Sequence, residues 1–317
     1  MFGFIKMLQQ FIRNLKSNKR LWFTTILVLA TGGIILSTFL LISTTNRISQ
    51  SVYVKQTSDY ELHLKSLEKL VERKLKHMAI AFSENEKIVE SLKIDDKDTL
   101  QIIENTFNAQ MKESENNTLL LKLHSAANAN ELRDNSINAS IQTKNNIFGI
   151  KVMYDGIFYL YLYPIVEEDK VIGVIEVKQN IYSLKETFSS LNQEYAFLLD
   201  SKMLPLLSIQ NRDQMSLSIG KNYFLNGSLY DSASIQYLTN LDNVTLQKIA
   251  AGDYVLTKEF YLNGIIVRDV NGVDIGLIIM GQKSNQEGSF IDMAQKMTNQ
   301  VIMIALGLIV SLLLFLF

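Results

Sequence analysis

From Leu21 to Ile42 the chain runs 22 residues without a charge (LWFTTILVLATGGIILSTFLLI). As a helix this stretch spans about 33 Å, enough for a bilayer core of roughly 30 Å, and it predicts a transmembrane helix over 21–43. Gly32 and Gly33 are tolerated there, because a helix in lipid has no water to which it can surrender its backbone bonds. A cleaved signal peptide has a shorter apolar core and a small-residue exit. The exit here, STTNRISQS, offers none. Beyond the run, Tyr60, Leu64, Leu67, Val71, Leu75, Met78 and Phe82 recur three or four residues apart, one stripe of a 3.6-residue period. They predict a stalk helix from Thr44 to Phe82, about 58 Å long. Ser83 followed by Glu86 has the form of a capping box that ends the stalk and starts a helix through Leu92. Stalk and cap fill 44–94. Asp95, Asp96 and Asp98 ahead of Leu100, Ile102, Ile103 and Phe107 announce a further helix.

The pattern then changes period. Thr118–His124, Phe148–Tyr154, Ile157–Val166 and Val171–Lys178 are short runs rich in β-branched and aromatic residues. Asp155-Gly156 and Glu167–Lys170 separate the last three, which predicts an antiparallel meander. In its middle strand Tyr159, Tyr161 and Tyr163 share one face, and Phe158, Leu160 and Leu162 share the other. Ile181–Asn192 reads as a helix and Tyr195–Asp200 as a strand, completing a first unit over 95–202. A smaller unit over 203–283 is built around Tyr254–Leu262, Ile265–Asp269 and Asp274–Gly281. Its turn and Ile-Gly strand echo EEDKVIGVIEV of the first unit, an imperfect structural repeat. Helical period returns over 284–300 and leads into Val301–Phe317, an apolar run of about 25 Å as a helix. A carboxylate left near hydrocarbon is costly. The expectation is therefore that the record ends inside a second span and that the natural chain continues.

Charge sets the orientation. Net charge is −1, yet residues 1–43 hold Lys6, Arg13, Lys16, Lys19 and Arg20 and no acid. The positive-inside rule puts the N-terminus in the cytoplasm and residues 44–300 outside. Residues 1–20 pattern either as an amphipathic helix on the inner leaflet or as a tail that only sets topology. With no cysteine in the chain, a disulfide framework, a thiolate zinc site and a cysteine nucleophile are all excluded. A cysteine-free outer region suits a bacterial envelope. Nothing basic or aromatic-striped points to nucleic acid. No H-E-x-x-H, G-x-S-x-G or phosphate-binding glycine loop is present. No cofactor or metal is expected, and Asp269-x-Asn271-Gly272 reads as a turn rather than a calcium loop, since the distal Glu is missing.

A basic start, a span, a long outer helix, two antiparallel units and a returning span resemble the double Cache sensor region of bacterial receptors, among them chemoreceptors, sensor kinases and diguanylate cyclases. Leu119–Arg133 (LLLKLHSAANANELR) looks like the strand and loop of one Cache subfamily, and Phe148–Val177 like its three-strand core. The resemblance implies an α+β fold: a long N-terminal helix with two antiparallel-sheet, PAS-like modules between two transmembrane helices. It further implies a small-molecule sensor without enzymatic activity of its own, dimeric through the stalk, in the bacterial inner membrane. The alternative class is a membrane-anchored envelope protein that binds a protein partner. The subfamily's second Arg before the core strands and its Arg in the middle strand are replaced here by SINASIQTKNN and by tyrosines, so no ligand identity follows.

The expected pocket lies on the first unit, where the loop Ser125–Asn146 is placed to cover the sheet. His124, Arg133, Tyr154, Asp155, Tyr159, Tyr161 and Glu176 are the candidate ligand-binding residues. Arg133 suits a carboxylate, held through two parallel bonds. The tyrosines offer ring faces and hydroxyls to an amine or other small organic molecule. Alternatively, Tyr159 and Tyr161 only cover the sheet, and Arg133 pairs with Asp134. His63 and His77 fall on the polar pattern of the stalk and are expected to be solvated.

Overall fold

The computed structural model describes residues 19–114, 118–127, 134–257, 259–284 and 290–316. The chain divides into two compact units, Met1–Gln56 with Asn285–Phe317, and Thr57–Ser284. The expectations placed on residues 1–18 and on Arg133 lie outside the described residues.

Helix α1 runs unbroken from Lys19 to Ser83, 65 residues, so the apolar run and the stalk form a single helix. Its C-terminal half buries Tyr60, Leu64, Val71 and Leu75, the stripe read from the sequence, together with Ala79. The stop differs from the expected capping box. Ser83 is the last helical residue, and its hydroxyl donates back to the Ile80 carbonyl at 2.7 Å. Asn85 caps α2 (Glu86–Lys93) instead, accepting from the Ile88 amide. The Asn85 side chain reaches its own N3 amide, and the hydroxyl two residues earlier is already committed to the preceding turn. Asp96 caps α3 (Lys97–Glu113) in the same manner.

The first sheet comprises β1 (Leu119–Ser125), β2 (Ile147–Met153), β3 (Gly156–Glu167) and β4 (Lys170–Asn180) in the order β1-β4-β3-β2, all antiparallel. Helix α4 (Asn135–Thr143), between β1 and β2, lies over one face. Residues Tyr154–Asp155 form the two-residue turn into Gly156, whose φ is +145°. Glu168 and Asp169, both at positive φ, form the turn between β3 and β4, the pair of left-handed residues that a tight hairpin requires. One edge of this sheet is covered. Asn108 of α3 bonds both the amide and the carbonyl of Leu121, and Glu104 accepts from the Leu123 amide at 2.6 Å. These side chains occupy backbone groups that an open edge strand would leave unpaired.

After a short helix α5 (Leu184–Ser190) comes strand β5 (Glu194–Asp200), which the sequence pattern includes in the unit over 95–202 without a sheet partner. It pairs with the last strand of the second sheet, because sheet membership is decided by distant partners and not by local pattern. The remaining elements are α6 (Ile209–Gln214), β6 (Leu217–Ile219), β7 (Tyr223–Leu225), α7 (Ser232–Thr239), α8 (Asn243–Ala250), β8 (Val255–Leu256), β9 (Phe260–Arg268) and β10 (Asp274–Lys283). The second sheet has the order β6-β7-β5-β10-β9-β8. Strand β9 passes through Asn263-Gly264 without a break, joining two runs that the sequence separated. The Asp269 carboxylate accepts from the Asn271 and Val273 amides, the turn that its sequence indicated. Omitting β6 and β7, the second sheet reads β5-β10-β9-β8 against β1-β4-β3-β2, so the repeat extends to strand order.

Both sheets turn one face to α1. Tyr261 of β9 stacks on Tyr60 and its hydroxyl meets that of Thr57 at 2.6 Å. Tyr159 of β3 donates to Glu68 at 3.3 Å. His63, expected in solvent, packs instead on Phe188 with ring centroids 5.0 Å apart and Nδ1 3.3 Å from Gln193 Oε1. The second core lies on the opposite face of the second sheet, where Tyr237, Leu238, Leu246 and Ile249 of α7 and α8 meet Leu198, Leu262 and Leu277.

Helix α9 (Phe290–Leu316) begins well before the apolar run at Val301. Among the described residues one stretch, Phe290–Ser311, is long and apolar enough to cross a membrane. Within its unit, α9 meets α1 at Tyr53–Phe290, with rings edge to face, and at Ser49–Thr298, with hydroxyls 3.4 Å apart. The order of these contacts makes the pair antiparallel.

Candidate functional site

Strand alternation assigns each polar residue of the first sheet to a face. The pairings Lys122↔Glu176, His124↔Val174, Leu160↔Lys178, Leu162↔Glu176 and Lys151↔Phe158 put His124, Lys122, Lys151, Glu176 and Lys178 on the α4 side. Tyr159 and Tyr161 point the other way. Tyr159 is buried against α1, and its hydroxyl is pushed well above the usual range by burial and by the Glu68 carboxylate. Neither faces the α4-side cavity: Tyr159 seats the sheet on the stalk helix, and Tyr161 lies beside the Phe148 ring on the same face.

On the α4 side is a cavity of about 510 Å³. Lys122, His124, Lys151 and Glu176 line it from the sheet, and Asp134 and Asn135 from the start of α4. Tyr154 closes one side from the β2–β3 turn, and Met203, Leu206 and Ile275 supply apolar wall. The most buried charged group of its wall is Glu176, whose side chain is 1% exposed. Its Oε2 lies 2.7 Å from His124 Nε2, and its Oε1 is 3.8 Å from Lys178 Nζ, outside hydrogen-bond reach. Oε1 has no hydrogen-bond partner. Burial pushes this carboxyl up, but His124, Lys178 and Lys122 more than offset it and hold it below the usual value. A charged, buried carboxylate with one bare oxygen is costly unless something else approaches it.

Lys178 is itself buried, 2.6 Å from Asp155 and 4.6 Å above the Phe158 ring. Asp155 therefore acts through Lys178 from outside the cavity. Lys151 pairs with Asp134 and donates to Ser136 at 2.8 Å. Burial pushes Asp134 up, but the bond and charge of Lys151 prevail and depress it. Of the sequence candidates, the structure brings together His124, Tyr154 and Glu176. It places Asp155 behind Lys178 and Tyr159 and Tyr161 on the far face. Lys122, Lys151 and Lys178 were missed, although position i±2 from His124 and from Glu176 signals the same face for two of them.

No protein-family model and no curated protein matches the sequence. Among solved structures, the chain is similar to the sensor domain of the V. cholerae histidine kinase DctB, at 12% identity over 73% of this chain and 98% of that one, with a TM-score of 0.35. It is also similar to the sensory domain of the Campylobacter jejuni chemoreceptor Tlp3, at 14% identity over 77% of this chain and 96% of that one, with a TM-score of 0.34. These two are sensory domains, one of a histidine kinase and one of a chemoreceptor.

Proposed function

We propose that the chain is the small-molecule sensing region of a two-pass receptor of the bacterial inner membrane, with residues 44–300 outside. The Glu176 carboxylate carries this reading: a buried charge with a bare oxygen, at the wall of a cavity that also holds Lys122 and Lys151. Such an arrangement suits a small charged molecule. An ammonium or other donor would satisfy Glu176 Oε1, and a carboxylate on the same or another ligand would meet the lysines.

The two membrane crossings would be Leu21–Ile42 within α1 and the apolar part of α9. Val28, Ile35, Leu36 and Phe39 of the first are exposed, as lipid-facing side chains would be. Ligand binding would shift α1 against α9 by ~1–2 Å, the scale of known helix displacements in such switches. Only a ligand that favours one of the two states transmits anything. A second copy pairing along α1 would cover Leu62 and Leu70, which are exposed.

The test is thermal melting of the full chain in nanodiscs against amines, amino acids and small carboxylates. Stabilisation by at least one of them is expected, reduced about tenfold or more in apparent affinity by Glu176→Gln. If nothing in the panel stabilises the protein, or if Glu176→Gln leaves the affinity unchanged, the reading fails and partner binding takes its place.

A further inference from the structure

A second cavity, of about 820 Å³, shares no lining residue with the first. It lies where the start of β3 and the end of β4 meet α6, its flanking residues and the segment that follows β7. Its buried lining is formed by Ile157, Leu207 and Met215 with two amides, Gln179 and Asn226. Gln179 is 8% exposed. Its Nε2 donates to the Ser183 hydroxyl at 2.8 Å, and its Oε1 has no partner. The charged groups lie on the wall: Asp155 and Glu186 are solvent-exposed, Asp155 is held by Lys178, and Lys74 reaches the wall half-buried from α1.

We infer that this cavity is a separate binding site for a small neutral polyhydroxylated molecule, a sugar or cyclitol. The floor carries no charge, so a charged ligand group pressed against it would lose its hydration without compensation. The bare amide acceptor asks for a donor. A hydroxyl supplies one, and it can equally accept if the amide is turned over and Ser183 donates to it. The apolar patches from Ile157, Leu207 and Met215 suit the C–H faces of a sugar ring. The volume falls within the range of small-molecule sites, roughly 300–1,000 Å³.

The experiment is isothermal titration of the full chain in nanodiscs, which avoids sugar-headed detergents. The probes are aldohexoses, aldopentoses and myo-inositol, with acetate and succinate as anions. At least one polyol is expected to bind saturably, with affinity lowered about tenfold or more by Gln179→Leu, the cost of one lost bond to a buried group. Leu229→Trp, which fills the cavity from a half-buried wall position, is expected to abolish binding and decides the matter if Gln179→Leu does not fold. The inference is overturned if no polyol binds, if only the anions do, or if polyol affinity survives in the variants. It is equally overturned if polyol affinity drops with Glu176→Gln alone, which would assign the ligand to the first cavity.

Discussion

Two carboxyls, the buried Glu176 and the half-buried Glu68, respond to pH in opposite directions. Glu176 is shifted down in the folded protein, so its contribution is present above its unfolded value and is lost as pH falls through its folded pKa. Asp134 acts with the same sign. Glu68 is shifted up by burial, against the opposing Tyr159 bond and Lys65 charge, so its contribution is present at low pH and is lost as pH rises through its folded pKa. Melting curves should therefore show that Glu176→Gln reduces the loss of stability on acidification below the ordinary carboxyl range. Glu68→Gln should instead remove a loss on the alkaline side of that range, leaving the variant at least as stable as the parent at neutral pH. The reverse pattern would mean that the two partner sets have been exchanged. At this scale the sequence revealed the tyrosine stripe of β3 as a shared face but not which face. Parity is local, whereas the surface that α1 occupies depends on a contact between Glu68 and Tyr159, 91 positions apart. Lys178 was harder to see, because a lysine in a strand usually marks solvent. Here Asp155 and the Phe158 ring make its burial tolerable.

Elements were legible where their period was strong. The stripe of α1 and the meander β2-β3-β4 needed only spacing and turn residues, since each buries a face set by its own sequence. The partners of strand β5 were not legible, because its run reads the same beside either neighbour. The cover on the β1 edge was invisible, as nothing in α3 marks Asn108 and Glu104 as partners of a strand. Removing that cover makes a sharp prediction. Asn108→Ala should leave the Leu121 amide and carbonyl without their side-chain partners and cost about 1–3 kcal/mol. Hydrogen exchange should show faster exchange at Leu121, with strands β3 and β4 unaffected. Uniform acceleration across the sheet would mean that α3 holds the fold and not merely the edge.

For the molecule as a whole, the pairing of α1 with α9 is open to a direct check, because the chain has no native cysteine to interfere. Ser49→Cys with Thr298→Cys joins positions whose hydroxyls lie 3.4 Å apart, close enough for side chains to bridge. Oxidation of the double variant in membranes should give an intramolecular crosslink, seen as a mobility shift reversed by reductant. A control pair offset by two residues on α9 faces elsewhere and should react poorly. A crosslink that forms only between two copies would assign this contact to an oligomer.

The strand order has a further consequence, in time rather than space. In both sheets the first strand to be synthesised pairs with the last: β1 with β4, and β5 with β10. Strand β10 also separates β5 from β9, so neither has its central neighbour until Asp274–Lys283 has been made. A chain leaving the ribosome must therefore carry β5 with one long edge open, flanked only by the two-residue pairing to β7, while α7, α8, β8 and β9 are made. Closing so long a loop is slow, and open strands invite wrong partners meanwhile. Helix α9 follows β10 almost at once, so the second sheet is completed only as α9 emerges.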